Sequence, residues 1–320
     1  MAKLLSEAAA GVYVIAVTPF TDSLDIDFSS LDRMTDFYLD CGVDGLTLLG
    51  IMGEAPKLSG EESQSVVNRV LGRVAGRVPV IVGVSSPGFA AMRELASAVM
   101  DAGAAGVMVA PPHKLRTDDG IAGYYNNVAE VLGRDVPFVL QDYPLATGVQ
   151  IAPPVISRIV REVPTCVMLK HEDWPGLGKI TAVRCDSEKG HVRRISILTG
   201  NGGLFLPNEL ARGVDGVMTG FCFPEMMVAV CKTFGNGDVD LAFDLFDAYL
   251  PLVRYEQQPE IGLAVRKYVM NKRGVIASAA QRNPATRLSP SDIADIERLL
   301  ARQTRRLSEL TPTSARYEFV

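Results

Sequence analysis

Short apolar segments rich in β-branched residues alternate along the chain with longer amphipathic segments. Near-continuous apolar runs are typical of strands that are buried on both faces, as in a parallel sheet. The spacers between them are long enough for a crossover helix. Eight such units fit a closed (β/α)8 barrel, an α/β fold, better than an open sheet. The predicted strands are residues 12–17, 45–49, 78–84, 106–110, 136–141, 166–170, 195–198 and 216–219.

Helix signals occur in the spacers, and the clearest one follows the second strand. Ser59 and Glu62 have the spacing of a capping box, and the apolar positions from Val66 to Val74 repeat at the helical period. A doubly wound open sheet is the alternative architecture. No G-x-G-x-x-G motif follows the first strand to bind a phosphate in such a sheet, so the barrel is preferred.

The strand pattern stops at the end of the eighth unit. We therefore predict a barrel over residues 1–234 and a C-terminal helical region over residues 235–320 that packs on it. Pro290 suits the first turn of a helix in this region. The helical segments predicted there are residues 238–255, 259–272 and 289–307.

Composition and charge argue against several classes of partner. The 320 residues carry a net charge of -5 and no basic block, which argues against nucleic acid or an anionic membrane surface. The apolar runs are too short to span a bilayer, and the N-terminus lacks the pattern of a secretory signal. These features predict a cytoplasmic location.

Cysteine and histidine positions give no sign of a disulfide framework or a metal site. The five cysteines form no C-x-x-C pair, and their odd number argues against systematic pairing. His113, His171 and His191 lie on separate segments without metal-ligand spacing. We predict neither a structural metal nor a cofactor.

Lys170 is the strongest candidate for chemistry in the sequence. It ends an apolar run and is followed at once by polar residues. The end of a barrel strand lies at the C-terminal mouth, where the active sites of this fold occur. Desolvation there disfavours the ammonium form of a lysine, and the neutral amine is a nucleophile for a ketone carbon. A lysine at a strand end also often extends into water, so other residues must support the catalytic interpretation.

The ends of the other predicted strands place further candidates at the same rim. Gly-rich turns after the second and seventh strands allow backbone N–H groups to approach a small anion, and a 2-keto acid presents both a carboxylate and a ketone. By strand alternation His171 and Glu172 point to opposite sides, so at most one of them shares the site of Lys170. The rim residues include Thr18, Gly50, Ile51, Met52, Gln141, Tyr143, Glu172, Gly200 and Thr219.

Three of these features together resemble the dihydrodipicolinate synthase and N-acetylneuraminate lyase superfamily. They are the G-x-x-G-E turn after the second strand, the D-x-P turn after the fifth and the lysine on the sixth. In that superfamily the lysine forms a Schiff base with pyruvate or another 2-keto acid, a role that the resemblance implies for Lys170. It also implies that the amides of Ile51 and Met52 bind the substrate carboxylate, and that the chain forms a homotetramer built from dimers.

The hydroxyl groups of a typical dihydrodipicolinate synthase are absent. Those synthases carry a G-T-T-G-E turn, a strand-five Y-N-x-P and a P-P-Y-Y segment after strand four. At the corresponding positions this chain has Ile51 and Met52, then Gln141, and then His113 and Lys114. The proton relay of the synthases is therefore not expected here.

Other residues point to a different branch of the superfamily. Ala146 stands where the synthases usually have an arginine for the carboxylate of the aldehyde substrate. The Q-D-x-P and K-x-E motifs, with the segment from Arg273 to Ser278, Arg282 and Pro284, resemble the 2-keto-3-deoxy-sugar-acid dehydratases. L-2-keto-3-deoxyarabonate dehydratases are the example with the nearest pattern.

We interpret the chain as a class I lyase that dehydrates or cleaves a 2-keto acid through an imine on Lys170. Gln141 would position a hydroxyl or a water, and the candidates for the base are Glu172, Tyr143 and His113. Two alternatives stay open: a true dihydrodipicolinate synthase, which condenses pyruvate with aspartate semialdehyde, and a noncatalytic barrel protein. Further candidates for substrate contacts are Thr18, Gly50, Gly200 and Thr219.

Overall fold

The computed structural model describes residues 3–113, 115–174 and 176–310. Within these residues eight parallel strands close into a barrel, in which each strand pairs with the next and the last pairs with the first. The predicted (β/α)8 fold is therefore confirmed. The strands are β1 (Gly11–Ile15), β2 (Gly45–Leu48), β3 (Val80–Gly83), β4 (Gly106–Val109), β5 (Phe138–Asp142), β6 (Cys166–His171), β7 (Ser196–Thr199) and β8 (Gly216–Thr219).

Helices follow the strands and cover the barrel. The predicted capping box is present at the second of them, where Ser59 Oγ accepts from the Glu62 amide and the Glu62 carboxylate accepts from the Ser59 amide. The helices are α1 (Phe28–Asp40), α2 (Gly60–Val74), α3 (Phe89–Asp101), α4 (Asp118–Leu132), α5 (Pro144–Thr147), α6 (Pro153–Glu162), α7 (Leu177–Glu188), α8 (Leu206–Leu210), α9 (Pro224–Gly235), α10 (Val239–Glu256), α11 (Gly262–Lys272) and α12 (Pro290–Leu310).

Strand side chains alternate between the barrel interior and the layer beneath the helices. One buried cluster fills the interior and includes Val139 of β5 and Met168 of β6, whereas Leu140 and Leu169 belong to the cluster under the helices. Because successive residues of a strand face opposite sides, the inner face continues from Val139 to Gln141 and from Met168 to Lys170. The inner cluster thus forms the floor of a site at the C-terminal mouth.

The C-terminal helices pack over one side of the barrel, with α10 against both α9 and α12. Pro290 begins α12, as predicted. Helix α11 begins later than expected because Glu260 has a φ of 67°, which is incompatible with a helix.

The division into two regions at residue 234 stays a prediction. No helix in the described part of the chain is both long and apolar enough to cross a membrane.

Candidate active site

Lys170 and Glu172 form a buried ion pair on the inner face of β6 and the residue just beyond it. Lys170 Nζ lies 3.0 Å from Glu172 Oε2. The two residues are 4% and 6% exposed, so both charges are largely withdrawn from water. The strand period of two places both side chains on one side, and His171 between them faces the other. An amine and a carboxylate in this arrangement can exchange a proton directly.

Gln141 completes this group from the neighbouring strand. It is the register partner of Lys170 in the pairing of β5 with β6. Its Nε2 donates to Glu172 Oε2 at 2.7 Å, the same oxygen that faces Lys170. A Cβ at Gly200 would overlap the Glu172 side chain, so the glycine after β7 leaves the space that the carboxylate occupies. Lys170, Gln141 and Glu172 are called the lysine triad below.

Tyr143 lies two residues beyond Gln141 and is half-buried at the start of α5. Burial raises the pKa of Tyr143, and the negative charge of Glu172 raises it further. The phenol therefore keeps its proton at neutral pH. In this position Tyr143 can donate a proton or a hydrogen bond, but it is a poor base.

The turn after β2 carries the backbone amides that the resemblance assigns to the substrate carboxylate. Ile51–Gly53 forms a single 3-10 turn, and Met52 packs against the inner cluster of the barrel. The first amides of a helical turn have no acceptor within that turn and are free to bind an anion. Thr18 Oγ1 donates to Gly53 O at 2.6 Å and so supports the turn. Direct contact of Thr18 with substrate stays a prediction.

In the glycine turn after β7, the amides of Gly202 and Gly203 donate to acceptors within the protein. The Gly202 amide donates to Thr219 Oγ1 at 2.8 Å, and the Gly203 amide donates to Gly200 O at 2.9 Å. Asn201 Nδ2 donates to the backbone oxygen of Glu172 at 3.0 Å and ties this turn to β6. Of the two predicted anion cradles, the turn after β2 is the one that leaves its amides available. Substrate binding by Gly200 and Thr219 stays a prediction.

The hydrogen bond of His113 is to a residue outside the lysine triad. Its Nδ1 is 2.9 Å from Thr147 O, and the side chain is exposed. This bond joins the loop after β4 to α5. No contact of His113 with Lys170 or Glu172 accompanies it among the described residues, so His113 is the weakest of the three candidate bases. The neighbouring Lys114 lies outside the described residues.

Two buried ion pairs from α11 were not found from the sequence. Lys267 Nζ contacts Glu54 Oε1 at 2.6 Å. Arg266 Nε donates to Glu256 Oε1 at 2.7 Å, and its Nη2 donates to Gly220 O at the end of β8. Glu54 is the glutamate of the G-x-x-G-E turn after β2, and this distant lysine is its partner. The signal in the sequence was the pair of adjacent charges, Arg266 and Lys267, within the apolar segment of α11, which indicates buried cations that need partners.

A second polar group lies on the outer faces of β5 to β7. His171 Nδ1 is 3.6 Å from Asp142 Oδ2, and Lys179 Nζ is 2.7 Å from the same oxygen. Glu209 of α8 is also buried here. Burial raises the pKa of Glu209 to about 7, against the opposing effects of Thr199 and His171. This carboxyl group therefore changes its charge near neutral pH.

Replacing Glu209 should change the stability of the fold in a pH-dependent way. Between about pH 4.5 and pH 7 the folded state holds a proton on Glu209 that the unfolded state has lost, so stability falls as pH rises through this window. Glu209→Gln should stabilise the protein at pH 8 by on the order of 3 kcal/mol, since one pKa unit corresponds to about 1.4 kcal/mol. Thermal unfolding at pH 5 and pH 8 measures this effect. An equal effect of the substitution at both pH values would contradict it.

The fold is a (β/α)8 barrel, and the lysine triad lies at its C-terminal mouth, where the active sites of this fold occur. Residues 8–303 match the sequence profile of the Dihydrodipicolinate synthetase family. The chain therefore belongs to this family, and it is a lyase.

Individual relatives fall into two groups by name. L-2-keto-3-deoxyarabonate dehydratase from Azospirillum brasilense is 31% identical over 296 residues, covering 89% of this chain and 92% of the relative. 4-hydroxy-tetrahydrodipicolinate synthase from Methanocaldococcus jannaschii is 30% identical over 247 residues, covering 76% and 82%. The crystal structure of dihydrodipicolinate synthase from Rhodopseudomonas palustris has 54% identity and a TM-score of 0.92, covering 94% of this chain and 100% of that one.

Proposed function

We propose that the chain is a class I lyase that dehydrates a 2-keto-3-deoxy sugar acid through an imine on Lys170. The observation that carries this proposal is the lysine triad. A buried amine lies 3.0 Å from a buried carboxylate oxygen, and Gln141 fixes that oxygen from the other side. The triad supplies a nucleophile, a proton acceptor and an orienting amide in one place.

Imine formation requires one proton to move from Lys170 to Glu172 and then from Glu172 to the hydroxyl group that leaves as water. The Lys170 ammonium gives a proton to Glu172, and the neutral amine attacks the C2 carbonyl carbon. The resulting carbinolamine then loses its hydroxyl group as water, with the proton returned by Glu172. The product is a protonated imine beside a restored carboxylate, so the charge of the buried pair is the same before and after.

Glu172 is also placed to act in the next step. The protonated imine draws electrons from C3, and the Glu172 carboxylate can remove the C3 proton to give an enamine. Expulsion of the 4-hydroxyl group as water, with a proton from Tyr143 or Glu172, gives an unsaturated imine, and hydrolysis of this imine releases the product and restores the amine of Lys170. Removal of the proton from that hydroxyl group would instead break the C3–C4 bond. The raised pKa of Tyr143 keeps the phenol protonated, so in this step it can serve as a donor but not as a base.

The substrate carboxylate is proposed to bind the amides of Ile51 and Met52. The turn is glycine-flanked, and a Cβ at Gly50 would lie 3.1 Å from Ile15 Cγ2, which leaves little room there for a larger residue. The Ile51 side chain is 52% exposed and points away from the packed core. Backbone donors are sufficient for this task, so the side chains at 51 and 52 can be apolar.

Dihydrodipicolinate synthase activity is the second candidate. The 54% identity to the Rhodopseudomonas palustris enzyme favours it. Gln141, Ala146 and the apolar pair Ile51 and Met52 count against it, because they provide neither the hydroxyl relay nor the arginine of the synthases. The noncatalytic alternative is set aside by the assignment to a family of lyases.

Product analysis divides the two candidates. Purified enzyme is incubated with L-2-keto-3-deoxyarabonate, and separately with pyruvate and aspartate semialdehyde. We expect water loss from the first and turnover of the second pair lower by at least about a hundredfold in kcat/KM. Preferred turnover of the semialdehyde would reverse the assignment.

The chain is also proposed to form a homotetramer, as the resemblance implies. Trp174 and Phe205 support this proposal, because their rings contact each other at 5.0 Å between centroids and remain 45% and 38% exposed on the rim. Light scattering on the purified protein measures the assembly.

The cytoplasmic location stays a prediction from the sequence.

A further inference from the structure

A lysine from the C-terminal helices reaches the turn that is proposed to bind the substrate carboxylate. Lys267 of α11 is 0% exposed. Its Nζ donates to Glu54 Oε1 at 2.6 Å, to Thr18 O at 2.8 Å and to Ala280 O at 2.8 Å. All three protons of an ammonium group are thereby used. The lysine joins the end of β1, the turn after β2 and the segment after α11.

The turn depends on these contacts for its shape. Glu54 ends the turn with a φ of 56°, in the left-handed region. Its other carboxylate oxygen accepts from Lys57 Nζ at 3.0 Å and from the Arg282 amide at 3.1 Å. Thr18, whose backbone oxygen accepts a hydrogen bond from Lys267 Nζ, also donates through Oγ1 to Gly53 O. Loss of the ammonium would therefore loosen the turn from both of its sides.

The charge of Lys267 is balanced by the carboxylate of Glu54. Two other cations lie nearby: Lys57, which shares that carboxylate, and Arg282, whose guanidinium lies over the Phe20 ring together with Lys267 Nζ. Burial lowers the pKa of Lys267 to about 8, and Glu54 opposes this effect. A neutral amine would have two protons for three acceptors and would leave the Glu54 carboxylate buried without its main partner.

We propose that Lys267 is a positioning residue whose ammonium holds residues 50–54 in the form that binds the carboxylate of the keto acid. This inference rests on the proposed function, because it assigns a task to the same turn. It adds a residue that touches neither the substrate nor Lys170. It also links substrate affinity to pH, since the turn is held while Lys267 is protonated and loosens as pH rises above about 8.

Borohydride trapping with pyruvate as the probe tests the proposal. In Lys267→Met the pyruvate concentration for half-maximal trapping at pH 7 should rise at least tenfold, while trapping at saturation stays as complete as in the wild type. A purely structural role would lower the fraction of folded, trappable protein and leave the half-maximal concentration unchanged. Lys272→Met is the matched control, because Lys272 lies on the same helix in an exposed ion pair with Glu297. It should behave as the wild type.

A conservative variant covers the case in which Lys267→Met does not fold. Lys267→Arg keeps its charge at pH 9, so its half-maximal pyruvate concentration should be the same at pH 7 and pH 9. The wild-type value should rise severalfold over that range. An unchanged half-maximal concentration in Lys267→Met at pH 7, or the same pH dependence in Lys267→Arg and wild type, would overturn the proposal. If the wild type traps no pyruvate at all, the proposed function itself fails.

Discussion

Lys170→Ala should abolish turnover while the barrel remains folded. Without the amine no imine can form, and we expect kcat/KM for L-2-keto-3-deoxyarabonate to fall by at least roughly a thousandfold. Glu172 would lose its buried cation, so the melting temperature should also fall. Gln141 would still donate to the carboxylate, which limits that loss. Steady-state kinetics and circular dichroism measure the two effects separately.

Lys170→Arg separates the nucleophile from the charge. The guanidinium keeps a cation beside Glu172 but cannot form a Schiff base. This variant should be as inactive as Lys170→Ala and should retain more of the wild-type stability. Activity within tenfold of the wild type in either variant would refute the covalent mechanism.

Glu172→Gln should give the second largest loss. The amide has nearly the same shape as the carboxylate, but it can neither accept the ammonium proton nor remove the C3 proton. General acid–base catalysis contributes about 10²–10⁴-fold, so kcat should fall by a factor in that range. The imine with pyruvate should still form, but more slowly. Rapid-quench borohydride trapping beside steady-state kinetics resolves the two steps.

Asp173→Asn is the matched control for that substitution. Asp173 is the adjacent carboxylate in the chain, but it pairs with Lys179 at 2.7 Å and not with Lys170. Its substitution removes the same charge from the same loop. We expect kcat within about threefold of the wild type, as is usual for substitutions outside the reacting groups. Equal losses from Glu172→Gln and Asp173→Asn would show that the effect comes from net charge, and would contradict the base assignment.

The barrel could be predicted from sequence because strands buried on both faces leave a clear apolar record. The observed strand ends differ from the predicted ones. The pattern predicts the first strand at residues 12–17, whereas β1 spans Gly11–Ile15. Ala16 and Val17 are buried although they lie beyond the strand, and burial is what the apolar pattern reports. Apolar character indicates where the chain is buried, not where its hydrogen bonding to the neighbouring strand ends.

The lysine triad was partly predictable for a geometric reason. Alternation along one strand places Lys170 and Glu172 on the same side, and this can be seen from the order of residues. The contact of Gln141 with Glu172 depends on the register of β5 against β6. A single sequence does not fix that register. Gln141 and Glu172 could therefore each be predicted as candidate site residues, but the hydrogen bond between them could not.

The buried charges of α11 lay beyond this kind of reasoning. Lys267 and Glu54 are separated by 213 positions, and no local pattern links them. The contacts of Thr18 could not be predicted from a local pattern either. Its Oγ1 donates to Gly53 O and its backbone oxygen accepts from Lys267, so that it supports the turn after β2. Long-range ion pairs depend on how the C-terminal helices dock, which periodicity does not describe.

The most direct test of the account is borohydride reduction of the wild-type enzyme with saturating pyruvate, read by intact mass and peptide mapping. The account predicts one reduced adduct per chain, on Lys170, and none in Lys170→Arg. No adduct in the wild type, or an adduct on Lys267 or another lysine, would contradict it.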